Sequence, residues 1–422
     1  MAALGALTFG CSDDRVVTDA GPGEDAAMDA GGTDAAMDAG SSDAGPSDAG
    51  PSDAGATDSG PSDAGPSETV GAWSPMAASP LSGRLTPAFA WSGAELIIWG
   101  GLGSLAALEL LADGARYDPI ADRWTAMSTE GAPAARQFPA TAWVGDRFFV
   151  YGGRGALGTN LTDGALYDPA PDRWSTLADS PLGDRARLLG AAVVGAEEMV
   201  VGDGIAFYDP GADRWRQPST VGAPTNRNGA TVVWTGGRQV VVWGGTDLGA
   251  SSGSLPASQG AIYDVEGDSW TAIDAAGAPR PRVRPAAAWD GASLVLWGGY
   301  DITELRSVGD GGRLDVASNV WRGTVSETGA PGDRTDMYFG WTGRRLLVWG
   351  GARSSGLTTR EYLGDGFLYD PARNRWEALP ELSGDAPTGR EAGAFAWTGT
   401  QLLVWGGRRE SDPLADGARY EL

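Results

Sequence analysis

A twelve-residue segment recurs along the chain and constrains its fold more than any other feature. Residues 163–174 read Asp-Gly-Ala-Leu-Tyr-Asp-Pro-Ala-Pro-Asp-Arg-Trp, and close copies occupy residues 113–124 and 365–376. Weaker copies end at Trp215, Trp270 and Trp321. Counted from Trp124, successive copies end 50, 41, 55, 51 and 55 residues apart. An internal period near 50 residues predicts an array in which one supersecondary unit is repeated.

Each repeat unit carries the signals of four short strands. It begins with an Arg and a strand of small residues that ends in an aromatic residue, as in residues 390–397, and a Gly-containing turn follows. The next strand is continuously apolar, as in residues 401–405, which is typical of a buried strand. The third strand leads into the Tyr-Asp-Pro turn and the fourth opens with Trp. The apolar strands end in Gly-Gly pairs that begin at positions 100, 152, 244, 298, 350 and 406. Four short, glycine-punctuated strands per unit predict one blade of a β-propeller.

The number of units predicts how the propeller closes. A degenerate pair, Gly202-Asp203, brings the apolar strands to seven, whereas only six Trp endings are complete. The last unit stops at Leu422 without its Trp strand, and an orphan strand surrounds Trp73. We therefore predict an all-β fold, a seven-bladed β-propeller that the N-terminal strand around Trp73 closes. Because Tyr and Trp recur once per blade, we expect them to pack between blades rather than to bind sugars.

The pattern of residues 72–422 resembles the kelch family. Kelch units carry an Arg-initiated strand, a Gly-Gly strand end and then Tyr and Trp at set spacing, and all four recur here. The departures are Gly202-Asp203, Val265 in place of Pro and Leu314 in place of Tyr. The resemblance implies a galactose oxidase-like propeller over residues 71–422, with ligands bound at the mouth of its central channel.

The first 70 residues form two further segments. Residues 1–11 are short, apolar and end in Cys11, which resembles the end of a bacterial lipoprotein signal and implies lipidation of Cys11. Residues 12–70 repeat Asp, Ala, Gly, Pro and Ser and contain no aromatic residue. Such a segment cannot bury enough apolar surface to offset its chain entropy, so we predict a disordered acidic linker. These features predict an extracytoplasmic protein, either an outer-membrane lipoprotein or a secreted one.

The composition excludes several kinds of chemistry. The chain has no Lys, no His and a single Cys. Ser-His-Asp triads, histidine metal sites, lysine Schiff bases and disulfide frameworks are therefore excluded, and we expect no cofactor or metal. The net charge of −24, without a basic patch, argues against nucleic-acid binding. We expect a monomer that reaches a membrane only through a lipid anchor.

A recurrent Arg and a recurrent Asp predict a charged ring. The Arg starts the innermost strand, and the Asp precedes the third strand, so both are expected at the mouth of the central channel. One possibility is a structural Arg–Asp girdle, and the other is a funnel that binds anions or carboxylates, which Arg pairs with in a bidentate manner. The predicted mouth residues are Arg84, Arg136, Arg187, Arg227, Arg282, Arg334, Arg390, Asp113, Asp163, Asp310, Asp365 and Asp416, with Asp203 and Arg185 in the third unit.

Two functions fit these observations. The first is a non-catalytic binding or scaffold protein that presents the propeller face, with its variable loops, to protein or glycan ligands. The alternative is a metal-independent kelch-type sugar epimerase or mutarotase that uses Glu and Arg at the funnel. Its candidate carboxylates are Glu304, Glu361, Glu391 and Glu410. A copper site like that of galactose oxidase needs His and a cross-linked Cys, which the repeat region lacks.

Overall fold

The part of the chain with a defined structure is the repeat region. The computed structural model describes residues 71–185, 188–247, 255–256, 260–356, 359–380 and 385–422. The predictions for segments 1–11 and 12–70, including lipidation of Cys11, lie outside the described residues. Arg187 also lies outside them.

The described residues are almost entirely β-strand, turn and loop, which confirms the all-β prediction. One 3₁₀ turn, Ala156–Gly158, interrupts the strands. The strands of the first half are β1 (Ala72–Pro75), β2 (Ala88–Trp91), β3 (Leu96–Trp99), β4 (Leu102–Ser104), β5 (Glu109–Leu110), β6 (Gly114–Asp118), β7 (Arg123–Ala126), β8 (Ala140–Val144), β9 (Arg147–Tyr151), β10 (Gly164–Asp168), β11 (Arg173–Thr176), β12 (Gly190–Val194), β13 (Glu197–Gly202), β14 (Gly204–Asp209), β15 (Arg214–Arg216), β16 (Arg227–Asn228), β17 (Thr231–Trp234), β18 (Gln239–Trp243), β19 (Thr246–Asp247) and β20 (Leu255–Pro256). The strands of the second half are β21 (Ala261–Asp264), β22 (Ser269–Ala272), β23 (Ala286–Trp289), β24 (Ser293–Trp297), β25 (Tyr300–Asp301), β26 (Arg306–Ser307), β27 (Gly311–Asp315), β28 (Val320–Thr324), β29 (Tyr338–Trp341), β30 (Leu346–Trp349), β31 (Ala352–Ser355), β32 (Thr359–Tyr362), β33 (Gly366–Asp370), β34 (Arg375–Ala378), β35 (Ala394–Trp397), β36 (Gln401–Trp405), β37 (Arg408–Arg409), β38 (Asp412–Pro413) and β39 (Gly417–Glu421).

Four-stranded antiparallel sheets follow the sequence repeat, and we number them along the chain. Sheets 1 to 7 are β2-β3-β6-β7, β8-β9-β10-β11, β12-β13-β14-β15, β17-β18-β21-β22, β23-β24-β27-β28, β29-β30-β33-β34 and β35-β36-β39-β1. The first strands of sheets that follow one another are in contact, from β2 with β8 to β29 with β35, and β35 also contacts β2. In sheet 7, β1 pairs with β39 and places Trp73 opposite Tyr420.

The segment between the second and third strands of a sheet is its rim loop. Sheet 1 has the hairpin β4–β5, sheet 7 has β37–β38, and the hairpins of sheets 5 and 6 join through β26 and β31. The rim loop of sheet 2 contains the 3₁₀ turn. In sheet 3 the rim loop is reduced to Asp203, because Gly202 pairs directly with Gly204. The end of the sheets that carries these loops is called the mouth face below.

Aromatic residues pack between neighbouring sheets, as the sequence predicted. The aromatic residue before each Gly-Gly pair is buried, as Trp99 and Trp297 illustrate with exposures of 0 %. It contacts the fourth-strand Trp of the next sheet. The pairs and their ring-centroid distances are Trp99–Trp174 (5.4 Å), Tyr151–Trp215 (4.9 Å), Trp243–Trp321 (5.7 Å), Trp297–Trp376 (4.9 Å), Trp349–Trp73 (5.1 Å) and Trp405–Trp124 (5.6 Å). Trp73 therefore makes the contact that a fourth-strand Trp makes elsewhere.

The repeated Tyr-Asp-Pro turn also ties each sheet to the one before it. In sheet 2, Asp172 accepts hydrogen bonds from the Tyr167 hydroxyl (2.5 Å) and from the Ser128 amide (2.8 Å), while Trp174 donates its indole N–H to the Ser128 carbonyl (2.9 Å). Asp172 has φ +52°, a left-handed conformation that Asp and Asn adopt more readily than most residues. The repeat of Asp or Asn at this turn thus follows from both its backbone and its hydrogen bonds.

Glu198 breaks the apolar pattern of the second strands. It lies four residues before Gly202, where the other sheets have buried apolar residues such as Phe148 before Gly152 and Val240 before Gly244. Its exposure is 0 %, and neither carboxylate oxygen has a hydrogen-bond partner among the described residues. Burial raises the pKa of Glu198 well above its ordinary value.

We expect Glu198→Leu to raise the free energy of unfolding near neutral pH, because burying a polar group without a hydrogen-bond partner costs about 1–3 kcal/mol, and more when the group is charged. Below the ordinary pKa of 4.5 the carboxyl group is protonated in both states. As the pH rises, the unfolded chain ionises first, so stability falls until the folded-state pKa is passed. Denaturation at a series of pH values should show that the gain over wild type grows with pH. Glu198→Gln, which cannot ionise, should show the same pH trend; a gain that is constant with pH would contradict the prediction.

Candidate functional site

Each recurrent Arg binds the mouth-face end of its own sheet. Arg136 donates from Nη1 to the carbonyl of Gly152 (3.0 Å) and to the carbonyl of Asp163 (2.9 Å), and from Nη2 to the Asp163 carboxylate (3.0 Å). Its Nε donates to the carbonyl of Ala134 (2.9 Å). The guanidinium therefore donates hydrogen bonds to the end of the second strand and to the start of the third, which flank the rim loop.

Five of the predicted Arg residues form this arrangement with five of the predicted Asp residues. The pairs are Arg84–Asp113 (3.0 Å), Arg136–Asp163 (3.0 Å), Arg282–Asp310 (2.9 Å), Arg334–Asp365 (3.0 Å) and Arg390–Asp416 (2.8 Å). The Arg side chains are 0–1 % exposed, whereas the Asp side chains are 41–64 % exposed. The group that each pair presents to a ligand is therefore the Asp carboxylate rather than the guanidinium.

The backbone of the same Arg residues joins neighbouring sheets. In five junctions the second Gly of a Gly-Gly pair donates its N–H to the carbonyl of the Arg that starts the next sheet. These bonds are Gly101–Arg136 (2.8 Å), Gly245–Arg282 (3.1 Å), Gly299–Arg334 (2.9 Å), Gly351–Arg390 (2.8 Å) and Gly407–Arg84 (2.8 Å). Glycine is required there: Gly101 has φ +97°, and an added Cβ would lie 2.8 Å from the carbonyl oxygen of Leu85.

Sheets 3 and 4 depart from this arrangement. Asp203 is bound by Arg185 (2.6 Å) and Asn226 (2.8 Å), and the Arg185 side chain is 56 % exposed. Arg227 is buried and donates to the carbonyl of Gly244 (2.9 Å); burial lowers the pKa of its guanidinium. In sheet 4 the sequence has Gln259 where the regular sheets have the Asp that precedes their third strand.

A second charged cluster on the mouth face was not predicted as a group. It consists of Arg284, Asp336, Arg360, Glu391 and Arg408, and we call it the mouth cluster. Asp336 contacts Arg284 (3.0 Å) and Arg360 (3.0 Å). Glu391 accepts from Arg360 (2.8 Å from Nε) and from Arg408 (2.8 Å). Asp336 and Glu391 are 2 % and 1 % exposed, and each of these buried carboxylates contacts two Arg residues.

The repeat itself positions the mouth cluster. Glu391 directly follows the recurrent Arg390, and Arg408 directly follows Gly407. Arg284 and Asp336 lie two residues after a recurrent Arg, at φ +59° and +55°, where non-glycine residues are strained. Only Glu391 was a sequence candidate. The sequence signal for this cluster is a charged residue one or two positions after a recurrent Arg, where several other units have a small or apolar residue.

The residues at this left-handed position connect the inner edges of neighbouring sheets. The amide of Ala392 donates to the carbonyl of Asp336 (3.2 Å), that of Thr86 to Ala392 (2.8 Å), and that of Phe138 to Thr86 (3.2 Å). Their side chains, with part of the mouth cluster, surround a pocket lined by Leu85, Thr86, Phe138, Asp336, Arg360, Glu391, Ala392 and Arg408. Its volume is about 10 Å³, close to the space that one water molecule needs.

The mouth cluster carries an excess of guanidinium groups. Three Arg residues face two carboxylates, so the formal charge is +1. Burial alone would lower the pKa of Arg360 and of Arg408. The nearby Glu391 carboxylate outweighs this effect and raises the pKa of both groups, and Asp336 adds to the increase for Arg360. Among the described residues, neither Nη atom of Arg408 has a hydrogen-bond partner, and Nη1 of Arg360 has none either. Both Arg residues line the pocket.

The other carboxylates considered for a sugar epimerase do not enter this pocket. Glu304 pairs with Arg280 (2.8 Å) and Arg306 (2.7 Å), and Glu361 pairs with Arg353 (2.9 Å), all on rim loops. The carbonyl of Glu410 accepts from the Tyr362 hydroxyl (3.2 Å). Within the described residues, no three His, Cys, Asp or Glu side chains are placed to hold a metal ion. The same part of the chain contains no helix with the length and hydropathy needed to span a membrane.

Comparison with known proteins agrees with the repeat geometry. The family described as the KLHDC2/KLHL20/DRC7 Kelch-repeats domain matches residues 249–422. Kelch-like protein 38 of Mus musculus is 28 % identical over 167 residues, which are 39 % of this chain and 27 % of that protein. Residues 249–422 of this chain therefore resemble kelch repeats. Kelch repeats suggest a protein-interaction scaffold, and the matched part is about a quarter of the mouse kelch-like protein.

We expect Arg390→Ala to lower the free energy of unfolding by about 2–5 kcal/mol, because it removes a buried side chain together with its hydrogen bonds to the Asp416 carboxylate and to two strand-end carbonyls. Burial of Asp416 disfavours its charge, but Arg390 outweighs it and lowers the pKa of the carboxyl. Arg409→Ala, an exposed position, should change stability by less than about 0.5 kcal/mol. Chemical denaturation of both variants checks this. A loss below 1 kcal/mol for Arg390→Ala would count against a structural role.

Proposed function

We propose that the seven sheets are the blades of one closed kelch propeller. Four observations support closure. The strand β1 completes sheet 7 by pairing with β39, Trp73 packs against Trp349 as a fourth-strand Trp, and Gly407 of sheet 7 donates to the carbonyl of Arg84 in sheet 1. The first strands of sheets 7 and 1 are also in contact.

In a closed propeller, Trp73→Ala should cost as much as Trp376→Ala, about 3–5 kcal/mol of unfolding free energy each. Both rings are buried, at 3 % and 2 % exposure, and each packs against a Trp of the preceding sheet. Equilibrium denaturation of the two variants gives the comparison. If Trp73→Ala costs less than 1 kcal/mol while Trp376→Ala costs several, the first strand does not close the ring.

The proposed activity is non-catalytic binding of a protein or glycan ligand at the mouth face. The observation that carries it is the mouth cluster, in which Arg360 and Arg408 line a small pocket on the mouth face. Guanidinium groups match a carboxylate in geometry and charge. The predicted Arg–Asp ring would then surround the ligand with exposed acidic side chains and support the rim loops from below. In this proposal the ring stabilises the face, and the mouth cluster contacts the ligand.

The epimerase alternative has less support. It needs a carboxyl group that can move a proton to or from a sugar. Both oxygens of Glu391 already accept from Arg residues, and the pocket has a volume of about 10 Å³, far below that of a sugar ring. We therefore favour binding over catalysis.

The proposal includes an extracytoplasmic location, as an outer-membrane lipoprotein or a secreted protein. It rests on the sequence of residues 1–70, where Cys11 would carry the lipid and residues 12–70 would hold the propeller away from the membrane. The partner would be a protein or glycan on the same side of the membrane, and the propeller would act as a monomer without cofactor.

The binding proposal is tested on arrays of peptides and of glycans, with the full chain as the probe. Carboxylate-bearing ligands should be retained. Arg408→Ala should weaken them by about 10-fold or more, because a hydrogen bond to a charged group contributes about 1.5–3 kcal/mol. Arg409→Ala, the neighbouring exposed Arg, is the matched control and should stay within about twofold. Retention of no ligand, or equal loss for both variants, would refute the proposal.

A further inference from the structure

Arg227 differs from the recurrent Arg residues of the five regular sheets in how few partners its guanidinium has. In those sheets the Nε atom donates to the carbonyl two residues earlier, and the Nη atoms donate to the Gly-Gly pair and to the Asp that precedes the third strand. Among the described residues, the guanidinium of Arg227 makes only the hydrogen bond to the Gly244 carbonyl (2.9 Å). Its Nε atom is buried without a hydrogen-bond partner.

The carboxylate that is missing has a defined place at the start of the third strand of sheet 4. The carbonyl of Gly260 accepts a hydrogen bond from the residue that follows the fourth strand, as the carbonyl of Gly164 does in sheet 2. The two glycines are therefore equivalent. The residue before Gly164 is Asp163, whereas the residue before Gly260 is Gln259. A neutral amide thus stands in the sequence where the regular sheets have the counter-charge of their Arg.

Burial makes the charge of Arg227 costly. The residue is 4 % exposed. Burial lowers the pKa of its guanidinium, and Asp247, which lies opposite Arg227 in the pairing of β16 with β19, opposes this shift only in part. A buried charge is strongly disfavoured unless it is paired and hydrogen-bonded. Sheet 4 therefore lacks a counter-charge that the regular sheets supply from their own chain.

The place of this counter-charge is open to solvent in the regular sheets. Their Arg side chains are 0–1 % exposed, whereas the Asp side chains that pair with them are 41–64 % exposed. A carboxylate in the corresponding place of sheet 4 reaches the buried guanidinium from the solvent side, as the Asp carboxylates do. An anion from solution can therefore take the role of the absent side chain.

The charges near Arg227 select the class of anion. A guanidinium and a carboxylate match in geometry, because two N–H groups of the one can bind both oxygens of the other. The carboxylate is also the group that the regular sheets place beside their Arg. The nearby Asp247 repels additional negative charge, which disfavours phosphate and other multivalent anions. These features indicate a small monovalent carboxylate.

We propose that Arg227 binds the carboxylate of a small monovalent organic anion, in the place that Asp163 takes beside Arg136. The bound anion supplies the missing counter-charge and stabilises the mouth-face end of sheet 4. The site is separate from the mouth cluster, whose residues come from sheets 5 to 7, and it does not depend on the binding function proposed above.

The test follows the melting temperature of the full chain by tryptophan fluorescence, in sodium formate and in sodium chloride at equal ionic strength. Gln259→Asp places a carboxylate in the chain at the proposed site, and Gln259→Asn is the matched neutral control. For wild type, the melting temperature in formate should exceed that in chloride by at least about 2 °C near 100 times the Kd, and the difference should grow with the logarithm of the formate concentration.

Gln259→Asp should melt at a higher temperature than wild type without formate and should lose the formate-specific increase. Gln259→Asn should keep this increase, and so should Arg408→Ala, which alters only the mouth cluster. An equal increase in formate and in chloride for wild type would overturn the assignment to carboxylates. A formate-specific increase that persists in Gln259→Asp, or a Gln259→Asp chain no more stable than wild type without formate, would overturn the site itself.

Discussion

The fold depends on a buried Arg that recurs in the sheets and forms hydrogen bonds through both its side chain and its backbone. In five of the sheets the guanidinium of the recurrent Arg joins the second and third strands of its own sheet, and the backbone carbonyl of the same Arg accepts from the preceding sheet. A buried charge is costly unless it is paired and hydrogen-bonded. Here the partners are the Asp carboxylate and two carbonyls at the strand ends, of which the Asp carbonyl also accepts from the first Gly of the Gly-Gly pair. The Gly-Gly pair recurs with the Arg because only glycine allows the two chains to approach this closely.

The recurrent Arg has a structural role, whereas the residues that follow it differ between sheets and can serve the proposed function. The recurrent Arg side chains are buried in the sheets, whereas residues one or two positions later line the pocket on the mouth face. In sheet 1 these positions carry Leu85 and Thr86, whereas sheets 6 and 7 place Asp336 and Glu391 there. A fixed scaffold residue is thus followed by a variable one that chemistry can use. The cost is backbone strain at left-handed positions, which the hydrogen bonds between neighbouring sheets offset.

The sequence repeat made the strands of each sheet predictable. The mouth cluster was not predictable in the same way, because some of its residues lie outside the repeat. The Tyr-Asp-Pro turn, the Gly-Gly pairs and the spacing of Trp defined the four strands of a sheet, and Trp73 identified the strand that pairs with β39. The same repetition directed attention to Arg84, Arg390 and their equivalents, which are buried. Arg360 lies in the non-repeated strand β32 and meets Asp336 and Glu391 only through tertiary packing. A repeat therefore predicts its own contacts, while contacts between loops of different sheets require the folded chain.

The pairing of β1 with β39 has a consequence for how the protein is made. Most strand pairs in this chain join segments that are close in sequence, and loop closure for them is inexpensive. Ala72 and Glu421, by contrast, are partners from opposite ends of the repeat region. During synthesis sheets 1 to 6 can form as their strands leave the ribosome. Sheet 7 can form only after its last strand, β39, has been synthesised. Until then the first strand remains an unpaired edge, and the nascent chain must be protected from pairing with a neighbour.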